Sequence, residues 1–449
     1  MGRKFIVGII ALTGLLVYQS CQQETSELAS SFDLIQTRIL NTQCATSGCH
    51  QSNTDLSFAQ HKLVLTSPEA YNNLIDIVPA NSNAARDKMM RVKPFQSAES
   101  LLYHKLHASS SGHHVNDYGN PMPLGLPLLS QGQVEFVRRW IEAGAPREGK
   151  VVDDVTLLDD TTPQPETFEP LTPPAPGTGI QLILGPFKVA PNFEREFFVY
   201  KSLGNTTDLY VNRIEIKMRQ NSHHFLLYDF ASTITSSAIP PLDVVRDIRN
   251  ADGSMNLGNM LPMRYHVYVA GAQTNYSDLS LPPGVALRIP AYMALDFNSH
   301  YVNKGREEIT GEVNVNFYTT PLANVQKVAR TLNLGNTNFS LPAKQRTTIT
   351  RIYLMDKKTS IVSLTSHTHQ LGEKFVIKIK NGPRDGEVVY TSTDWHHSEV
   401  INFSNPLILQ VGEGLVSEIT YNNTKDRIVN FGLTSEDEMG IIFGYYYED

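Results

Sequence analysis

Several segments of this chain carry side chains able to hold a redox-active group. NSHHFLLYDF (221–230) sets His223 beside His224, DFNSHYVNKG (296–305) carries His300, and SHTHQLG (366–372) spaces His367 and His369 two apart. Residues two apart on a strand share a face, so His367 and His369 offer two imidazole nitrogens to one metal. Imidazole suits copper, zinc, iron and nickel. Adjacent His223 and His224 point to opposite faces of a regular strand. To share a metal they need a strand end, a bulge, or coordination through the ring nitrogen nearer the backbone. Met439, in EDEMGIIFGYYYED (436–449), adds a thioether ahead of a final strand, and a soft sulfur ligand favours Cu(I).

A second chemistry lies near the start. QCATSGCH (43–50) holds two of the three cysteines, Cys44 and Cys49, followed directly by His50. Two thiols and a histidine in one short segment can anchor a covalent haem, with His50 as axial ligand. The same pair can form a disulfide in an oxidising compartment. Four residues separate the cysteines, where two is the usual haem spacing. GNPMPLGLPLLS (119–130) supplies Met122, a soft second axial ligand of the kind that raises a haem's potential. His104 and His107 fall on one face of a helical segment and are placed to flank haem propionates. His113 and His114 read as solvated loop residues, and His266, His396 and His397 as structural.

These residues need elements to position them. SFDLIQTRIL sets Phe32, Ile35 and Ile39 on one helical face just before Cys44. Ser130 and Gln133 form a capping box that opens a helix with Val134, Val137 and Ile141 inward, stopped by Gly144 and Pro146. Residues 151–179 carry acids and six prolines between Pro163 and Pro176, the composition of an extended, semi-rigid linker. Beyond residue 180 the pattern turns to strands. Ile214, Ile216 and Met218 alternate with polar residues, as do Val313, Val315 and Phe317, and then Phe375, Ile377 and Ile379 in a hairpin closed by NGPRDG. The expected architecture is multidomain: a small all-α domain over 21–150, then two all-β jelly-roll sandwiches over 180–321 and 322–449, with TTPLANV (319–325) at the seam.

The N-terminus reads as export. Arg3 and Lys4 precede the apolar run Phe5–Tyr18, which is too short to span a bilayer comfortably. Residues 1–20 therefore read as a signal peptide. Cys21, after Ser20, resembles a bacterial lipoprotein cleavage site, which implies a lipid anchor and a periplasmic or cell-surface location. The formal net charge of −7 gives no basic footprint for nucleic acid.

HHFLLYDF, SHYVNKG, SHTHQLGEKF and TSEDEMGIIFGYYY resemble, in this order, the copper type II, ascorbate-dependent monooxygenases. That resemblance covers about residues 180–449. It implies two jelly rolls, each with one copper, facing across a solvent cleft. His223, His224 and His300 then match an electron-storing copper, and His367, His369 and Met439 the copper that binds dioxygen. Residues 28–148 resemble a monohaem cytochrome c domain. Together they imply two Cu and a haem c in one oxygenase that takes O2, a small-molecule or peptide substrate and an external electron donor. Two departures stand out: the second half contains no cysteine, and no substrate-binding residues match. Two other classes remain open, a copper- and haem-binding electron-transfer or copper-handling lipoprotein without hydroxylase activity, and a carbohydrate- or partner-binding module.

Overall fold

The computed structural model describes residues 29–55, 58–107, 118–165, 168–393, 395, 398–432 and 436–448. The signal segment, Cys21, His113, His114, His396 and His397 lie outside the described residues.

The N-terminal unit is helical. Its helices are α1 (Ser31–Ile35), α2 (Phe58–His61), α3 (Ala70–Leu74), α4 (Ser82–Arg86), α5 (Leu101–Lys105) and α6 (Gln131–Glu142). Ser30 caps α1 through a capping box with Asp33. The helix then widens into a π-helix, Gln36–Cys44, and Phe32, Ile35 and Ile39 still face inward. They meet α6, whose Ser130/Gln133 capping box forms as its sequence expects. Phe32 packs on Trp140 with ring centroids 5.5 Å apart. Apart from α6 and the first helix with its π-helical extension, the helices span about one turn each, and a cytochrome c arrangement is not evident in them.

The proline-rich segment is extended but not a free tether. A 3₁₀ turn, Val155–Leu158, packs against α6 with Leu158 buried. Asp159 pairs with Arg38 at 2.8 Å, and Ser130 Oγ donates to Asp160 O at 2.7 Å. Further along, Leu171 N donates to Asn314 Oδ1 (3.2 Å), Asn316 Nδ2 donates to Thr172 O (2.9 Å), and the Arg219 guanidinium sits 4.5 Å over the Phe168 ring. Backbone groups that the prolines leave outside any ladder find partners on both flanking units.

The first β unit comprises β1 (Gly179–Val189), β2 (Phe193–Ser202), β3 (Leu209–Met218), β4 (Ser222–Phe230), β5 (Val245–Asp247), β6 (His266–Ala272), β7 (Tyr276–Ser280), β8 (Val285–Ile289), β9 (Ala294–Asn303) and β10 (Ile309–Thr319). The second comprises β11 (Lys327–Gly335), β12 (Ser340–Leu341), β13 (Gln345–Leu354), β14 (Thr359–His367), β15 (Gly372–Lys380), β16 (Val388–Ser392), β17 (Ile401–Leu409), β18 (Gly414–Asn423), β19 (Val429–Asn430) and β20 (Ile441–Glu448). In the first unit β1-β10-β3-β8, with β7 on β3, faces β5-β2-β9-β4-β6. In the second β11-β20-β14-β17 faces β13-β18-β15-β16. The alternating residues Ile214, Ile216, Met218, Val313, Val315 and Phe317 fill the first core; Phe375, Ile377 and Ile379 fill the second.

The two sandwiches share one sheet. β11 pairs in parallel with β8 through Lys327↔Val285, Val328↔Ala286 and Ala329↔Leu287, which joins their sheets into nine strands. Tyr445 of β20 donates to Val269 O at 2.7 Å, and Phe443 packs on Tyr268 at 4.9 Å. The histidine-bearing strands β4, β9 and β14 therefore sit in a joined scaffold. The helical unit meets it through the loop after Tyr118, where α2 approaches β15, and where Lys304 reaches Cys49.

Candidate metal centres

The first centre forms at the start of β4. Ser222 pairs with Tyr301 and His224 with His300, so His223 is the extra residue of a β-bulge. That bulge lets adjacent histidines share a site. The ligand-capable atoms of His223, His224 and His300 all lie within 4.8 Å of one another, the one such three-residue cluster among the described residues.

Hydrogen bonding fixes which nitrogens are available. Asn298 Nδ2 donates to Glu196 Oε1 (3.2 Å) and Phe197 O (3.3 Å), which turns its Oδ1 toward His224. His224 Nε2 donates to that oxygen at 2.8 Å, and its unprotonated Nδ1 lies 3.1 Å from Nδ1 of His223. His300 Nε2 donates to Glu194 Oε1 at 2.8 Å, while its buried Nδ1 has no hydrogen-bond partner. Two outer acceptors thus hold protons on Nε2 and leave Nδ1 lone pairs for an ion.

The electrostatics are those of a cation site. The His300 N–H holds the Glu194 carboxyl down at about 2. Burial acts upward on Glu196, yet the His300 and His224 imidazoles hold it down at about 2 as well. Burial works against charge on His300, and the two glutamates outweigh it and raise its pKa.

The second centre lies where β14 ends. β14 pairs His367 with Ile441 of β20. His369 falls in the turn beyond, so the two are not on one face of a continuous strand as their spacing predicts. The turn still brings their rings to 5.2 Å. His369 Nδ1 donates to Asp437 O at 3.1 Å, which leaves Nε2 for a ligand. Burial pushes His367 down to about 3, with His369 and His224 acting the same way, so the two histidine groups feel each other's charge.

Glu438 organises this centre, and nothing in its sequence context announces it. Fully buried, it accepts from His369 N (2.9 Å), Leu371 N (2.6 Å) and Met439 N (3.3 Å). One carboxylate thus holds the His369 turn to the Met439 backbone. Burial pushes its carboxyl up to about 8, against those three donors. Tyr421 OH donates to Met439 O at 2.6 Å from the other side.

In the helical unit, Cys44 closes the π-helix and His50 N donates back to Cys44 O at 3.3 Å. No disulfide joins Cys44 and Cys49. His50 Nδ1 donates to Leu63 O at 3.2 Å, the arrangement that exposes Nε2 as a haem ligand. His61, unnoticed in the sequence, stacks 4.1 Å from His50, but its Nδ1 accepts from Leu63 N (3.1 Å) and its proton therefore sits on Nε2. The Leu63 peptide distinguishes the two rings and prepares His50. Met122 is held by its N–H to Lys105 O at 2.6 Å. His104 Nε2 bonds Ala98 O at 2.8 Å and His107 packs on Tyr103 at 4.4 Å. His266 is buried against Tyr228 and donates to Asp296, as a structural residue would.

Residues 327–449, which include His367, His369 and Met439, match the family model described as copper type II ascorbate-dependent monooxygenase, C-terminal domain. That stretch is therefore similar to a copper monooxygenase C-terminal domain. No curated protein matches it. Among solved structures it is similar to the STIV MCP (8% identity, 60% of this chain and 97% of that one, TM-score 0.28). It is similar also to the major capsid protein P2 of bacteriophage PM2 (8%, 57% and 98%, 0.22) and to PNGase F, a glycosylasparaginase from Flavobacterium meningosepticum (9%, 60% and 96%, 0.27). Likenesses at those TM-scores carry no argument about fold or function.

Proposed function

We propose that the protein is an exported, lipid-anchored copper monooxygenase fed by a covalent haem c. The reaction is R–H + O2 + two electrons + two protons giving R–OH + water. The observation that carries this reading is the convergence of one ring nitrogen from each of His223, His224 and His300 within 4.8 Å, in a chain whose C-terminal part matches a copper monooxygenase domain.

Copper bound at the two centres supplies one-electron transfer and dioxygen activation. The chain's own residues set the conditions. Asn298 and Glu194 engage Nε2 of His224 and His300, which leaves Nδ1 as the ring nitrogen able to ligate. Glu194 and Glu196 stay anionic and offset the charge of a bound cation. Glu438 fixes the spacing between the His369 turn and Met439. In the helical unit, Cys44 and Cys49 would carry the haem thioethers, with His50 and Met122 as axial ligands.

Two facts support the haem assignment: the His50 Nδ1 bond to Leu63 O, and the fixed contact between the Met122 loop and β4. The substrate is an organic molecule or peptide with an accessible C–H bond. The test is made on the mature protein produced with haem-maturation machinery. Two coppers per chain and a haem spectrum that survives denaturation support the reading. Zinc and a colourless protein overturn it. Both cofactors present, without oxygen consumption under any reductant, would favour the electron-transfer lipoprotein instead.

A further inference from the structure

An electron feed needs a defined contact between the helical unit and the copper-holding sandwich, and one segment makes it. Asn120 is 2% exposed and bridges to the sandwich with both ends of its amide. Its Nδ2 donates to Ser222 O at 3.0 Å, and its Oδ1 accepts from Asn275 N at 3.0 Å. Ser222 O belongs to the peptide bond that begins His223. Five residues on, Gly125 N donates to Asn221 Oδ1 at 3.0 Å and Gly125 O accepts from Lys304 N at 2.5 Å. Asn221 turns into β4 with φ +64°, a left-handed conformation that asparagine tolerates well. Met122 lies between these two clamps. On the same side, Lys304, just past the end of β9, donates from Nζ to Cys49 Sγ at 3.4 Å.

We infer that the Asn120–Gly125 segment is a built electron-transfer junction, with Asn120 as the residue that positions the Met122 loop on the His223 strand. The inference rests on the haem and copper reading above and deepens it. From Met122 the path runs through two residues of chain to the Asn120 side chain. It crosses one hydrogen bond to the Ser222–His223 peptide and ends at a copper ligand. The transfer moves one electron: iron(II) is oxidised to iron(III), copper(II) is reduced to copper(I), and no atom changes place. Asn120 touches neither metal, and acts by holding the two ligand-bearing backbones in one register.

The experiment is photoreduction of the haem in the copper-loaded full chain, following haem reoxidation and the copper(II) EPR signal. Asn120→Ala removes both amide hydrogen bonds and so lowers the transfer rate by about tenfold or more. The haem reduction potential and the copper content stay at wild-type values. Amide exchange at Asn275, which loses its acceptor, accelerates even in protein without metals. Asn221→Gly, which keeps the left-handed turn and removes only the acceptor for Gly125, slows transfer in the same direction and guards against a misfolded Asn120 variant. An unchanged rate in both variants overturns the inference and leaves the α2 to β15 approach as the route. A slower rate explained by a shifted haem potential also overturns it. Absence of covalent haem or of copper in the wild-type chain is a separate failure, seen before any variant is compared, and it removes the functional reading itself.

Discussion

His224 donates from Nε2 to Asn298 Oδ1 at 2.8 Å, and this one bond turns its Nδ1 toward His223. The amide cannot flip without cost, because its Nδ2 is spent on Glu196 and Phe197 O. Asn298→Ala therefore frees the imidazole to take either tautomer. Loss of such an outer partner typically costs about 10–100-fold in metal affinity. Chelator competition for the first copper should show a drop of that order. Asn298→Asp keeps an acceptor toward His224 but sets its second oxygen against the Glu196 carboxylate and Phe197 O, so it should not restore wild-type affinity. Equal affinities in wild type and Asn298→Ala would show that the His224 tautomer is set elsewhere.

Glu438 is the corresponding device at the second centre. Its removal by Glu438→Ala leaves three backbone N–H groups without their acceptor, of which the buried one at Leu371 alone costs about 1–3 kcal/mol. Glu438→Gln is little better, since its NH2 group would face donors. Both variants should unfold at markedly lower denaturant and lose copper from His367, His369 and Met439 first. Copper at His223, His224 and His300 should persist, because no contact of Glu438 reaches that site. A variant with wild-type stability and both coppers would remove Glu438 from this role.

These two residues show where sequence reasoning reaches its limit. His223, His224, His300, His367 and His369 are visible because imidazoles at short spacing have few other readings in combination. The alternating strands are visible because burial on one face imposes period two, and Ile216, Val315 and Ile377 are buried as that period demands. Asn298, Glu194 and Glu438 carry no such pattern. Glu194 meets His300 across 106 positions of chain, through the pairing of β2 with β9. The shared sheet is equally silent, since the β8–β11 pairing is a long-range register that neither strand's own alternation encodes. Composition also misleads in the proline-rich segment. Prolines predict extension correctly, but the anchoring of Leu171 and Thr172 on β10 depends on asparagines 314 and 316, far along the chain.

His266 gives a pH dependence with a definite sign. Burial lowers its pKa from 6.5, and the hydrogen bond to Asp296 restores only part. The native state therefore holds it neutral at pH values where the unfolded chain already takes a proton. As pH falls below about 6.5 the unfolded state binds more protons, so stability falls by up to about 1.4 kcal/mol per pH unit until the folded pKa is reached. His266→Gln keeps a donor to Asp296 and cannot titrate. Urea unfolding at about pH 7, 6 and 5 should show a shallower acid loss in His266→Gln than in wild type. Parallel pH profiles would mean that His266 is not charged on unfolding in that range.

Replacing Cys44 and Cys49 by serine separates the two chemistries that QCATSGCH allows. No disulfide joins the two thiols, and Cys44 is buried at the end of a π-helix, with burial pushing its thiol up to about 12. Serine is close to it in size and no disulfide is lost, so the copper-holding sandwiches should fold with copper content unchanged. It should lack any haem that resists denaturation. It should also lose turnover with a protein electron donor, while a small reductant, which can reach the coppers directly, keeps it active. A disulfide would behave differently. Its loss would destabilise the helical unit by about 2–4 kcal/mol, and the wild-type protein would show no covalent haem to lose.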